Sequence, residues 1–272
     1  MFLFNETSPS DEELRGASAE LLRSYYAAKA SINPNIVPPS VPSTIPKVFA
    51  DTVAQQGEST ALMAVSEYQG MLQNFFVGLI GAKRVLEIGS FTGSSAIFFA
   101  NALKRNGVAG GLGASGHKPV IGLDISERYA NIARKNFVNA GVEDYVDIIV
   151  GDARANLASL EGQVFDIVFL DADKPSYQYY YDTVIEKGIV AKSGLIIADN
   201  TAFDCTTPFI GLPAPVPNSA KPLEVTFRKF PDSDELGKTI HEFNEYVRHD
   251  PRTEVLMLPL YTGITLIRLL DG

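Results

Sequence analysis

Hydrophobic positions along the chain change their period near Gly81. Upstream, Leu72, Phe75, Phe76, Leu79 and Ile80 recur at i, i+3, i+4 spacing, which predicts a helix over Glu67–Ile80. A second helical pattern covers Lys47–Gln56. A third is expected from Ser10, an N-cap with Glu13 three residues on, to about Ala30. Between them Asn33–Pro46 holds five prolines and is expected to be a strap, not a regular helix. Residues 1–62 therefore read as a helical extension and residues 63–272 as the main domain.

Downstream of Gly81, short apolar runs alternate with helical patterns. Strands are expected at Val85–Ile88, Val120–Leu123, Val146–Val150, Phe165–Leu170 and Leu195–Ala198. Helices are expected at Ser94–Arg105, at Glu127–Ala140 stopped by Gly141, and at Ser176–Lys187 stopped by Gly188. A last helix at Asp232–His249 precedes a closing hairpin, Glu254–Leu258 and Ile264–Leu270. This alternation predicts an α/β fold: a seven-stranded, mostly parallel sheet with helices on both faces. Asn106–Pro119, rich in glycine, and Thr201–Pro222, rich in proline, are expected to be irregular excursions.

Charged residues fall in a pattern on that frame. Glu87, Asp124, Asp171 and Asp199 each stand at the end of a predicted strand. In an open parallel sheet the carboxyl ends of the strands line one crevice, so four acids there are gathered into a common site. Singly, each is equally an N-cap or an Asx turn. Glu87 leads into the turn Gly89-Ser90-Phe91-Thr92-Gly93, where glycine permits positive φ and a close approach of ligand to the main chain. The dinucleotide fingerprint wants G-x-G-x-x-G, and Ser90 interrupts it. A carboxylate at that place repels a diphosphate and suits a cationic ligand.

The roles of the other acids divide by chemistry. Asp124 occupies the place of a ribose-binding carboxylate. Asp171, Asp199 and Asn200 form an all-oxygen set, which favours Mg²⁺, with Mn²⁺ or Ca²⁺ as alternatives. His117, His241 and His249 lie away from the strand ends, which argues against zinc. Lys174, three residues after Asp171, sets an amine at that edge. Beside a dication it would shed its proton more readily and serve as general base; a solvated loop lysine is the plainer alternative.

Composition narrows the partners. A net charge of −9 and a pI near 4.9 leave no basic stripe for nucleic acid. No stretch has the length of a membrane span, and Met1-Phe2-Leu3-Phe4 is too short for a signal segment. The single cysteine, Cys205, excludes an internal disulfide and fits a reducing, cytoplasmic setting. No histidine is placed to activate it as a nucleophile.

On these residues the chain resembles the cation-dependent O-methyltransferases, the caffeoyl-CoA and catechol O-methyltransferase group of the class I S-adenosylmethionine-dependent enzymes. The matching segments are Leu86-Glu87-Ile88-Gly89-x-x-Thr92-Gly93-x-Ser95, Gly122-Leu123-Asp124, Asn139-Ala140-Gly141-Val142, Phe165-Asp166-x-x-Phe169-x-Asp171-Ala172-Asp173-Lys174-x-x-Tyr177, Asp199-Asn200-Thr201 and Asp250-Pro251-Arg252. The resemblance implies a Rossmann-like class I methyltransferase fold with S-adenosylmethionine as cofactor. It implies that Glu87, Gly89, Ser90, Ser95, Asp124, Ala153 and Asp173 contact the cofactor. It also implies that Asp171, Asp199 and Asn200 hold the metal, that Lys174 is the base, that Asp204 lies on the substrate side, and that the enzyme is a homodimer.

The implied reaction is methyl transfer to a hydroxyl of a small phenolic or catechol-like acceptor. Phe203 stands where the family often has tryptophan, and Ser66-Glu67-Tyr68-Gln69-Gly70 replaces its D-E-G-Q segment. An acidic chain without a lysine–arginine cluster argues against a coenzyme A thioester as acceptor. A metal-independent methyltransferase, a pericyclase-like enzyme using the same cofactor, and a nonenzymatic cofactor-binding scaffold are the competing readings. A nicotinamide dehydrogenase is disfavoured by Ser90 and Glu87.

Overall fold

A computed structural model describes residues 42–202, 233–258, 260 and 262–270. The helix expected from Ser10, most of the proline strap, and the insertion beyond Ala202 with Phe203, Asp204 and Cys205 lie outside the described residues. The prelude that is described begins with α1 (Ile45–Gln56) and a single turn α2 (Glu58–Ala61). It ends in α3 (Glu67–Leu79), whose N-cap Ser66 accepts the N–H of Gln69. Helix α1 starts inside the segment expected to be irregular. Pro46 sits in its first turn, where a missing N–H has no intrahelical partner to lose.

The sheet runs β3-β2-β1-β4-β5-β7-β6, built from β1 (Val85–Ile88), β2 (Val120–Asp124), β3 (Val146–Val150), β4 (Phe165–Leu170), β5 (Val190–Asp199), β6 (Thr253–Leu258) and β7 (Ile264–Leu269). Strands β1 to β5 are mutually parallel, and β7 enters antiparallel against β5. The strand order reverses between β1 and β4. That switch point opens a crevice at the carboxyl edge, as it does in nucleotide-binding α/β sheets.

Side-chain alternation divides the core. Val85, Ile167, Phe169 and Ile197 pack beneath α3, α4 (Ser94–Arg105) and α5 (Glu127–Ala140). Leu86, Ile88, Val168, Leu170 and Ile196 face the other layer, α6 (Ala153–Ser159), α7 (Tyr177–Glu186) and α8 (Ser233–Arg248). No helix among the described residues is long and apolar enough to cross a membrane.

Four details differ from the pattern-based expectation. Glu87 does not end its strand; it is the third of four residues in β1 and shares the Val85 face. Strand β5 begins at Val190, five residues earlier than expected. A register shift lies between its pairings with Phe165 and Ile167, and the polar run Lys192-Ser193-Gly194 masks the period there. Helix α6 was not anticipated, because its two turns bury little beyond Leu157. The helix expected at Ser176–Lys187 is present as α7, and a 3₁₀ turn, Lys174–Ser176, leads into it.

Candidate active site

The turn after β1 brings the backbone of one strand end against another. Gly89 has φ 96°, and a Cβ there would lie 2.2 Å from the carbonyl oxygen of Asp171. Only glycine allows β1 and β4 to leave the sheet this close together. Gly93 (φ 86°) is the N-cap of α4, and Phe91 between them also has positive φ, 47°.

Asp124 holds that turn in place. Its Oδ2 accepts the N–H groups of Ser90 (3.2 Å) and Phe91 (2.7 Å), and its Oδ1 accepts that of Ser126 (2.8 Å). A carboxylate offers about four lone-pair positions, so three backbone donors leave space for roughly one more. The structure thus gives Asp124 a task the ribose-binding expectation did not include: it pins the glycine turn.

Glu87 is fully buried, in register with Gly122 of β2 and Phe169 of β4. Burial pushes its pKa up to about 7 and the Asp124 charge adds to the rise. Ser95 and Ser90, nearby, offset part of it. Neither carboxylate oxygen, nor the Ser90 hydroxyl, has a partner at hydrogen-bonding geometry. The space comes from Gly122, where a Cβ would fall 2.2 Å from Ser90 Oγ and 3.5 Å from Glu87 Oε2. A buried acid with two unsatisfied oxygens is costly unless a ligand supplies donors or positive charge.

The second half of the site lies at the ends of β4 and β5. Leu170 pairs in register with Ala198, so Asp171 and Asp199 are the next residues on adjacent parallel strands. Burial, then the proximity of Asp199, holds the Asp171 carboxyl well above its usual range; Lys174 counteracts this. Asp199 is raised too, chiefly by burial, with Lys174, Gln69 and the Asn200 N–H opposing. Asp171 retains 17% of its side-chain surface and Lys174 11%, a narrow opening to solvent.

Asn200 takes the left-handed conformation (φ 57°), which asparagine tolerates. Its amide nitrogen donates to Thr262 Oγ1 (2.6 Å), which leaves the amide oxygen as the atom available to a hard cation. Lys174 Nζ lies 3.4 Å from Asp171 Oδ1 and donates to the Tyr177 hydroxyl at 2.6 Å. That hydroxyl, fully buried, in turn shares its hydrogen between the carbonyls of Leu170 (2.9 Å) and Asp199 (3.0 Å). One tyrosine therefore ties together the ends of β4 and β5 and the lysine. Burial and the surrounding carboxylates keep it a phenol.

The structure gathers Glu87, Gly89, Ser90, Ser95 and Asp124 around the turn, and Asp171, Lys174, Asp199 and Asn200 at the neighbouring strand ends. Ala153 opens α6, whose N-cap Asp152 accepts the Arg154 N–H. Asp173 is exposed and accepts the hydroxyl of Tyr180 at 2.7 Å, so its nearest engagement is with α7. Asp204 lies outside the described residues. Two site residues escaped the sequence reading. Tyr177 stood in the quoted D-A-D-K-x-x-Y segment without a role. Gln69, which donates to Asp199 Oδ2 at 2.7 Å, lies 130 positions away. Among the described residues no three His, Cys, Asp or Glu side chains converge, so a cation here would rest on two carboxylates and an amide.

The chain is similar to known methyltransferases over most of its length. The family model of the O-methyltransferases matches residues 44–270. O-methyltransferase ankF of Aspergillus thermomutatus is 28% identical over 233 residues, 84% of this chain and 88% of that protein. Caffeoyl-CoA O-methyltransferase 1 of Eucalyptus globulus is 33% identical over 211 residues, covering 76% and 75%. The SAH-bound Podospora anserina methyltransferase PaMTH1 superposes with a TM-score of 0.69 at 26% identity, over 98% of this chain and all of that one.

Proposed function

The chain belongs to the O-methyltransferase family, and from that premise we propose that it methylates a hydroxyl of a small phenolic or catechol-like acceptor with the help of a divalent cation. The methyl donor is S-adenosylmethionine, as the methyltransferase relatives and the SAH-bound neighbour support. Glu87 fits that donor: a buried carboxylate with two unsatisfied oxygens is complementary to a ligand bearing N–H donors and positive charge. When bound, the sulfonium supplies an activated methyl and a neutral leaving group.

The observation that carries the metal reading is the pair Asp171 and Asp199, side by side on adjacent strand ends and each held above its ordinary pKa. Two crowded carboxylates and an amide oxygen are a hard-oxygen set of the kind Mg²⁺ takes with added waters. A dication there would lower the proton affinity of an acceptor hydroxyl. Lys174 is the group that would receive that proton. Its amine is anchored by Tyr177 and faces the same narrow opening as Asp171. Asp171 and Asn200, by holding the cation, would orient the acceptor, and Leu170 and Ala198 are buried just behind them. Positioning of this kind accounts for much of the rate of a displacement whose leaving group is already good.

The test is methyl transfer from labelled S-adenosylmethionine to catechol, in EDTA and after Mg²⁺ is restored. Turnover should vanish in chelator and return with the metal, and Asp171→Ala should be inactive with an unchanged circular dichroism spectrum. Full turnover in EDTA would replace this reading with a metal-independent methyltransferase.

A further inference from the structure

Ser66-Glu67-Tyr68-Gln69 has the S-x-x-Q spacing of a capping box, in which the N-cap hydroxyl takes the N3 N–H and the N3 side chain turns back to the N-cap N–H. Helix α3 makes the first half: Ser66 Oγ accepts the Gln69 N–H at 3.2 Å. The Gln69 side chain goes elsewhere. Its Nε2 donates to Asp199 Oδ2 at 2.7 Å in a buried contact between residues 130 positions apart. Such a long reach forgoes a local bond that the same amide could make with its own helix.

The donor is held firmly. Gly70, the next residue, lets the ring of Phe98 lie directly on α3; a Cβ there would sit 2.1 Å from that ring. Gln69 itself is 6% exposed. On the other side, Asp199 Oδ1 accepts the N–H of Asn200 at 2.8 Å. Each oxygen of Asp199 thus has one donor, the two approaching from different elements. The side chain cannot rotate without breaking one of them, and each oxygen keeps a lone pair for a cation.

We propose that Gln69 is a positioning residue that fixes the Asp199 carboxylate for metal binding, so that the prelude helix α3 completes the cation site from outside the sheet. This rests on the metal reading above. Outer partners of this kind orient a ligating carboxylate, and their loss typically costs about 10- to 100-fold in metal affinity. A purely architectural bond tying α3 to β5 would leave metal affinity alone.

The test is Mn²⁺ affinity, by electron paramagnetic resonance titration, of the full chain and of Gln69→Met, which keeps the volume and removes the donor. Gln69→Asn, which keeps the amide but shortens its reach by one methylene, stands in should the first variant fail to fold. Affinity for S-adenosylhomocysteine and the melting temperature in EDTA are measured alongside. The expected result is a fall of roughly 10-fold or more in Mn²⁺ affinity, with S-adenosylhomocysteine affinity changed less than about twofold. Equal Mn²⁺ affinity in parent and variants overturns the proposal while leaving the metal reading intact. An equal fall for both ligands overturns it as well, since the effect is then general. A parent chain that takes up no Mn²⁺ removes the metal reading, and this proposal with it.

Discussion

Replacing Glu87 with glutamine tests the cofactor half of the site through stability and ligand affinity together. Glu87 is fully buried, both its oxygens lack partners, and its pKa stands at about 7 against an ordinary 4.5. A carboxyl raised in this way favours the folded state below pH 4.5, and that advantage is lost as pH climbs to about 7. The span corresponds to roughly 3 kcal/mol, an upper figure for the cost of ionising this one group in the ligand-free protein. Glutamine carries no charge, so Glu87→Gln removes that slope. Some of the gain is returned, because a buried amide needs its own partners and Ser90 and Ser95 supply only hydroxyls; a net stabilisation of about 1–2 kcal/mol at pH 8 is expected. The assay is urea unfolding in EDTA at pH 5, 6, 7 and 8, comparing parent with variant. Asp199 cancels in that comparison, while Asp171, whose carboxyl the Glu87 charge helps to raise, is relieved in the variant and adds to the gain in the same direction. S-adenosylhomocysteine binding should move the opposite way, weaker by about 10-fold or more in the variant. The reasoning fails if the stability difference is independent of pH, or if the variant is the less stable protein at pH 8 and binds the ligand as well as the parent.

Two further substitutions probe the frame around the chemistry. Tyr177→Phe removes the hydroxyl that anchors Lys174 and bridges the Leu170 and Asp199 carbonyls; about 1–3 kcal/mol of stability should go. With saturating metal, kcat should drop by about 10-fold or more with KM little changed. An unaltered kcat would mean the lysine needs no such anchor. Gly89→Ala places a methyl 2.2 Å from the Asp171 carbonyl at φ 96°. It should cost at least about 2–3 kcal/mol by urea unfolding and weaken both ligands together; parent-like stability would show that the turn can open.

The alternating period after Gly81 made the sheet legible, since buried parallel strands such as Val85–Ile88 and Phe165–Leu170 are continuous apolar runs with sharp ends. Where the period was interrupted, legibility was lost. The polar bulge at Lys192-Ser193-Gly194 hid half of β5, and α6 is too short and too exposed to carry a pattern. The acids were legible because the topology collects strand ends, and Asp171 and Asp199 do fall on neighbouring strands. Glu87 lies on the segment its pattern indicates but deeper in it: a charged residue inside a four-residue strand looks like its end when only polarity is read. Gln69 and Tyr177 could not be assigned from the sequence, because their partners are Asp199, 130 positions from Gln69, and a pair of backbone carbonyls.

On the reading proposed above, residues 171, 199 and 200 share one cation beside the glycine turn. Crystals grown with Mn²⁺ and S-adenosylhomocysteine, measured at a wavelength where manganese scatters anomalously, address it directly. A single strong anomalous peak is expected within coordination distance of Asp171, Asp199 and Asn200, next to the bound nucleoside. A seated S-adenosylhomocysteine with no peak there, or with manganese bound only elsewhere, would contradict it.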